Sequence, residues 1–145
     1  MLIDKAEIYD LIPHSGSMCL LDGVTAWDRD SIVCVSITHR DQTNPLRRQG
    51  RLSALHAFEY GAQAVAIHGG LLARTAGKQA PFAYLAALRH GRLFVAYLDC
   101  IEDRLEVTAR RQAGGAGNTI YEFRVDGGGQ ALAQARVTII TRAPP

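Results

Sequence analysis

The chain has 145 residues, 48% of them hydrophobic, and its 16 basic and 14 acidic residues leave a formal charge of only +2. This length predicts a single domain over residues 1–145, large enough for a real core and without room for a second domain. The small net charge, with basic residues that are interspersed and not interleaved with aromatic ones, argues against nucleic-acid binding.

Cysteine usage and the N-terminus predict the compartment. Cys19, Cys34 and Cys100 make an odd number with no C-x-x-C spacing, which fits a reducing compartment better than a disulfide scaffold. Three acidic residues lie within the first ten positions, where a signal peptide would have a basic start and an apolar run. We therefore predict a cytoplasmic protein.

The first third of the chain reads as a helix, a loop, a strand and a second loop. Residues 4–11 have the composition of a short helix that must stop before Pro13. His14 begins a loop, and the apolar segment after it ends at the turn dipeptide Asp22-Gly23. Residues 31–38 are rich in β-branched side chains and predict a strand. Residues 39–51 are polar and form a loop long enough to be functional.

A long apolar helix is predicted over residues 52–72. Glu59 is its one formal charge and falls among apolar residues, and the opposite side also carries small or apolar groups. A helix without a charged face is typical of an enclosed element. Glu59, Gln63 and two histidines are too many polar groups for a membrane span.

The remainder of the chain predicts strands, over residues 82–89, 92–100, 104–112, 119–125 and 131–141, the first two of which could be one bent strand. The glycine-rich segments 114–118 and 126–129 each separate two strand-like runs and lead into no helix, so they predict hairpins and not phosphate-binding loops. This order indicates an α+β fold, in which a curved antiparallel sheet wraps around the central helix.

Two stretches resemble the hotdog-fold 3-hydroxyacyl-carrier-protein dehydratases. Residues 12–24, IPHSGSMCLLDGV, resemble the family's Pro-His followed by Leu-Leu and Asp-x-Val. Residues 44–63 resemble the segment in which Asn and Pro precede a Gly-His-Phe-Pro turn and a helix with Glu-x-x-x-Gln, so that Glu59 and Gln63 fall on that Glu and Gln. Residues 103–107 and 117–141 fit the family's last strands. More narrowly, the chain resembles a subgroup associated with aryl-polyene or type II polyketide pathways.

The resemblance implies a hotdog dimer that removes water from a 3-hydroxyacyl thioester of acyl carrier protein, or of coenzyme A, to give the trans-2-enoyl thioester. In the family the histidine of the turn is the base and acts with the helix glutamate across the dimer interface. Here Gly50 is present but Arg51 follows it in place of that histidine. Half of the expected catalytic pair is therefore missing.

The candidate site residues follow from this chemistry. Glu59 is predicted as the acid, because an apolar tunnel favours a protonated carboxyl, or else it pairs with a cation such as Arg51. The candidates for the base are His14 and His56, each of which could instead have a structural hydrogen-bonding role, and a partner could also supply the base. Gln63 could orient the carboxyl or be a buried amide bonded to a loop. Gly50, Arg51, His56 and Gln63 are predicted to contact substrate, and no metal and no cofactor are expected.

Two alternatives remain open at this point. The chain could be a non-catalytic or half-catalytic subunit of a hotdog heterodimer whose partner has an intact histidine, or it could be a hotdog thioesterase. The predicted partners are an acidic carrier protein and a second hotdog chain, identical or different. The carrier would suit a group of basic residues: Arg47, Arg48, Arg51, Lys78 and Arg89.

Overall fold

Seven antiparallel strands form one sheet that curves around a long helix. The structure is a computed structural model, and it describes residues 1–12, 16–79, 82–115 and 117–142. In chain order the strands and α-helices are β1 (Ile3–Asp4), α1 (Lys5–Leu11), β2 (Gly23–Trp27), β3 (Ser31–Ser36), α2 (Ala57–Thr75), β4 (Phe82–Leu93), β5 (Leu105–Gly115), β6 (Asn118–Gly127) and β7 (Gln130–Arg142). The strand order in the sheet is β1-β2-β3-β5-β6-β7-β4. The predicted α+β architecture is confirmed.

Helix α2 packs directly on the sheet because small residues allow a close approach. A Cβ on Gly61 would lie only 2.1 Å from the ring of Phe123 in β6. Farther along α2, the His68 ring is fully buried and hydrogen-bonds to the hydroxyl of Tyr121 and to the carbonyl of Asp28. No helix in the described ranges is long and apolar enough to cross a membrane.

The central helix begins later and is less enclosed than its composition predicts. A 3-10 turn, Ala54–His56, precedes α2, because residues 52–54 pair with residues 96–98 through backbone hydrogen bonds. The side that faces the sheet is the one with Ala57, Gly61, Ala64 and His68. Glu59 is half-buried in the single chain, and Ala66 and Gly69 of the same helix are exposed.

Two strands near the N-terminus were not expected. Asp22-Gly23 was predicted as a turn that ends a segment, but Gly23 begins β2 and pairs with Asp4 of β1. A Cβ on Gly23 would overlap the side chain of Met1, so glycine here makes room for a neighbouring side chain. Strand β3 ends at Ser36, because residues 38–40 turn into a 3-10 helix.

The predicted segments 82–89 and 92–100 begin as one bent strand, β4, which ends before the second segment does. Strand β4 shifts register between Arg89 and Arg92, where His90 has a left-handed φ of 55°. The prediction of a strand from 94 to 100 is wrong. The amide of Leu98 bonds to the carbonyl of Leu52, so this segment leaves the sheet and joins the chain that leads into α2.

Strand β4 forms one edge of the sheet and is poorly covered by the rest of the chain. It pairs with β7 on one side, and nothing in the described parts of the chain pairs with its other side. Tyr84, Leu85, Leu88 and Leu93 keep 38–44% of their surface exposed. The sheet therefore presents a long apolar edge to solvent.

Candidate functional site

Glu59 lies in the first turn of α2, on the side of the helix that the sheet leaves open. Its carboxylate accepts a hydrogen bond from the side-chain Nε2 of Gln63, one helical turn later, with Nε2 and Oε1 3.1 Å apart. Residues four apart on a helix face the same way, which is why the sequence could predict this contact. The carboxylate is thereby held in one orientation.

Gln63 is itself fixed by the segment that precedes β2. Only 1% of its surface is exposed. Its Oε1 accepts from the backbone amide of Leu20 at 2.9 Å, so its amide nitrogen points the other way, toward the carbonyl of Met18 at 2.8 Å and toward Glu59. In the structure Gln63 makes both predicted kinds of contact, since it orients the carboxyl and is also a buried amide bonded to a loop.

Of the two histidines that are candidates for the base, only His56 lies within the described residues. His56 is in the 3-10 turn three residues before Glu59 and is half-buried, and within the described ranges its ring has no hydrogen-bond partner. His14 lies outside the described residues. The resemblance places the remaining candidate position in the turn at residues 48–51.

That turn is a tight two-residue connection between Arg48 and Arg51. The backbone amides of these two residues donate to each other's carbonyls at 2.8 and 3.0 Å. Gln49 and Gly50 between them have φ values of 53° and 74°, as a type I′ turn requires. Gly50 thus shapes the turn, and its carbonyl accepts from Nη1 of Arg47.

Arg51 is bound to its own surroundings. Its Nε donates to Asp99 at 2.9 Å, its Nη2 lies 3.3 Å from the sulfur of Cys100, and its guanidinium carbon is 3.7 Å above the ring of Tyr97. The hydrogen bond to Asp99 raises the pKa of Arg51 further, so this side chain cannot accept a proton near neutrality. At the position where the resemblance predicts a histidine base, Arg51 is therefore a side chain that cannot act as one.

Asp99 anchors both Arg51 and the approach to the helix. Besides Arg51 it accepts from the backbone amide of Leu52 at 2.8 Å. Burial would raise the pKa of Asp99, but these two hydrogen bonds outweigh burial and the pKa is lowered. The turn and the start of α2 are therefore held in place by one ionised carboxylate.

A buried polar network, which sequence reasoning missed, holds the loop before the turn. The hydroxyl of Tyr60, next to Glu59, contacts the hydroxyl of Thr38 at 2.8 Å and the amide of Asn44 at 3.2 Å. Burial raises the pKa of Tyr60. In the sequence Asn44 is distinguished only by the proline that follows it, and a tyrosine on an apolar helix gives no indication of such bonding.

Arg47 serves the same loop. Its guanidinium donates to three carbonyls, those of His39, Asp41 and Gly50. Three of its N–H donors are thus used within the loop, and its place in a basic surface for an acidic partner stays a prediction. Arg48 is exposed, and Arg51 keeps 45% of its side-chain surface accessible.

The open edge of the sheet lies close to this site. Phe58, adjacent to Glu59, contacts the bend in β4, since a Cβ on Gly91 would lie 3.1 Å from Cζ of Phe58. The bend in β4 therefore lies beside the first turn of α2. Among the described residues no group of three metal-ligating side chains is present.

The described part of the site can move a proton through the carboxyl of Glu59. It contains a carboxyl that a buried amide orients, and a turn whose arginine cannot act as a base. An elimination needs both an acid and a base on the substrate.

Comparison with known proteins shows what this chain is similar to. Residues 6–144 match the model of the ApeP-like family, described as ApeP dehydratase. A search of curated proteins gave no significant match. Among solved structures, the dehydratase heterocomplex ApeI:P from Xenorhabdus doucetiae superposes with a TM-score of 0.83 at 20% identity, over 93% of this chain and 90% of that chain.

More distant structures share the hotdog architecture. A hypothetical thioesterase with coenzyme A from Streptococcus pneumoniae has a TM-score of 0.62 at 12% identity, over 83% of this chain and 84% of that one. The E. coli PaaI protein has a TM-score of 0.60 at 14% identity, over 81% and 80% of the two chains. The predicted hotdog fold is confirmed.

Proposed function

Because this chain belongs to the ApeP-like family of dehydratases, we propose that it takes part in dehydrating 3-hydroxyacyl thioesters of acyl carrier protein, with Glu59 as the acid. The observation that carries the proposal is the pair of Glu59 and Gln63, in which a buried amide orients the one carboxylate of the central helix. The same pair matches the Glu-x-x-x-Gln of the family's helix.

The proposed step is balanced as an elimination of water. A base removes the proton from the α-carbon of the substrate, and the electron pair of that C–H bond becomes the new carbon–carbon double bond. The C–O bond at the β-carbon breaks, and the hydroxyl leaves as water with the proton of Glu59. The proton held by the base then restores Glu59, and the product is the trans-2-enoyl thioester.

We propose that the base comes from a second hotdog chain docked on β4. The support is threefold: Arg51 is a bound guanidinium, the Glu59 side of α2 is open, and β4 is exposed beside it. The ApeI:P structure is a dehydratase heterocomplex, which makes a different hotdog chain the proposed partner. His14 and His56 remain predicted as bases within the chain, and the experiment below separates these cases.

The proposal also includes the carrier protein and the cellular location. Arg48 and the accessible part of Arg51 suit an acidic carrier protein. The location proposed is the cytoplasm, supported by three free cysteines. Burial raises the pKa of Cys34 to about 12, so that thiol is kept protonated and unreactive.

The test is turnover of a short 3-hydroxyacyl-carrier thioester, with enoyl product and free thiol followed together. The chain is assayed alone and as the complex purified from its host. We expect enoyl formation by the complex and a loss of about 10²–10⁴-fold in the Glu59→Gln variant. Glu122→Gln is the control, because that exposed carboxylate lies on β6 beside Arg136.

Each other outcome has a defined meaning. Enoyl formation by the chain alone, abolished by His14→Ala or His56→Ala, would place the base in this chain and overturn the partner-supplied base. Thiol release without enoyl would identify a thioesterase and overturn the dehydratase proposal. Equal rates with the coenzyme A thioester would overturn the preference for the carrier.

A further inference from the structure

The exposed edge strand has a one-sided charge. Between Tyr60 and Leu98 the sequence contains no aspartate or glutamate. Within that stretch β4 carries Arg89, His90 and Arg92, all exposed. An edge strand that carries cations and no carboxylate should pair more favourably with an acidic strand than with a basic one.

The neighbouring strand increases this positive charge. Arg89 is paired directly across from Arg136 of β7, so two like charges face each other within the chain. Like charges that are directly opposite destabilise a sheet. Glu122 lies 3.8 Å from Arg136, on the side of β7 away from β4. Among the described residues Arg89 has no carboxylate partner.

Pairing with a second copy of the chain would place more positive charge at the same edge. When two copies of β4 overlap fully and antiparallel, residue 82 faces residue 93 and Arg89 faces Ala86. The two Arg89 positions are then three residues, about 10 Å, apart along the strands. That separation is about one Debye length at physiological salt, so repulsion is only partly screened.

We propose that β4 selects, by charge, a hotdog partner whose edge strand carries carboxylates opposite Arg89 and Arg92, and that it thereby disfavours a second copy of this chain. The inference rests on the partner chain of the proposed function and specifies its chemistry. The apolar residues of β4 provide the area of contact, and the arginines decide between partners.

The experiment supplies the complementary strand within the same protein. The wild-type chain and an Arg89→Glu/Arg92→Glu double variant, with tags of different mass, are mixed and measured by native mass spectrometry. We expect mixed dimers in excess of the statistical proportion, with an association constant at least about five-fold above that of either self-dimer. The excess should shrink at about 0.5 M salt.

Three controls make the result specific. Arg29→Glu/Arg104→Glu reverses the same amount of charge at exposed positions outside β4 and β7 and should give statistical mixing. Circular dichroism checks that every variant is folded, and Arg89→Gln/Arg92→Gln should strengthen self-association relative to wild type. Statistical mixing of the β4 variant, or no gain for the neutral variant, would overturn the inference. Neither readout involves substrate, so failure here leaves the dehydratase proposal to its own assay.

Discussion

Gln63 is the residue on which the geometry of the site depends most. It makes three hydrogen bonds from a position with 1% exposure, and these bonds connect Glu59 to the backbone at Met18 and Leu20. Removing one partner of a buried hydrogen bond leaves the other unsatisfied, which costs more than the bond itself contributes.

We therefore expect Gln63→Ala to lower the free energy of unfolding by about 2 kcal/mol, because an amide and a carbonyl of the backbone lose their partner. The same variant should reduce kcat more than it changes KM, since Glu59 loses its orientation. Urea unfolding and steady-state kinetics measure the two effects. Gln112→Ala, at an exposed position, should change neither; equal losses in both variants would contradict this role.

Two buried histidines make stability depend on pH. Burial lowers the pKa of His68, and Arg111 adds to this, although Asp28 and Asp30 oppose it. Burial also lowers the pKa of His39, as do the charges of Arg40 and Arg47, against the hydrogen bond between its Nε2 and the backbone carbonyl of Ile101. Each ring is neutral in the folded state at a pH where the unfolded chain binds a proton.

Stability should thus be complete above the unfolded pKa of about 6.5 and decrease as pH falls from there toward the folded pKa. The slope is at most about 1.4 kcal/mol per pH unit for each histidine. Urea unfolding between pH 7.5 and 5 measures it. His68→Gln should flatten the slope, whatever it does to absolute stability, while exposed His90→Gln should not. An unchanged slope in His68→Gln would count against this assignment.

Among the secondary-structure elements, strands with alternating apolar and polar residues were predictable from the sequence, and irregular segments were not. Strands β5 and β7 alternate apolar and polar residues over their length, and they were predicted nearly to their ends. Strand β2 was missed because its first residue, Gly23, is a residue typical of turns. Here glycine is needed for another reason, since a Cβ would overlap the side chain of Met1. The segment 94–100 has strand composition, but pairing with the start of α2 overrides it.

The contacts of the candidate site were also predictable only in part. The spacing of Glu59 and Gln63 fixes their contact on any helix, and it was predicted. The hydrogen-bond partners of Arg47 and Arg51 depend on how the loop folds. The sequence does not indicate that Arg47 donates to three backbone carbonyls while Arg51 donates to Asp99.

Contact between α2 and β6 gives a matched pair of glycine variants. Gly61→Ala should destabilise the chain by about 2–3 kcal/mol, because the new methyl group would overlap the ring of Phe123. Gly69→Ala lies on the exposed side with nothing within 4 Å, so it should stabilise by up to about 1 kcal/mol through helix propensity. Thermal unfolding compares the two, and changes of the same sign would refute the packing described.

For the whole molecule, the main feature is a sheet that ends in an uncovered apolar strand. If a partner chain pairs with β4, the outward amides of residues 82–93 become hydrogen-bonded. Hydrogen exchange should then slow in peptides from this strand when the complex forms, and peptides from β5, in the middle of the sheet, should stay unchanged. Unaltered exchange over 82–93 in an active complex would place the partner elsewhere.

The position of β4 in the strand order also has a consequence for how the chain is made. Strand β4 follows α2 in sequence, yet its partner is β7, so that position 82 pairs with position 142. During synthesis β4 has no strand to pair with until almost the entire chain has left the ribosome. Its apolar side chains are exposed for that interval, when an unpaired strand is most prone to aggregate. Truncation of the last strand should therefore yield an insoluble product.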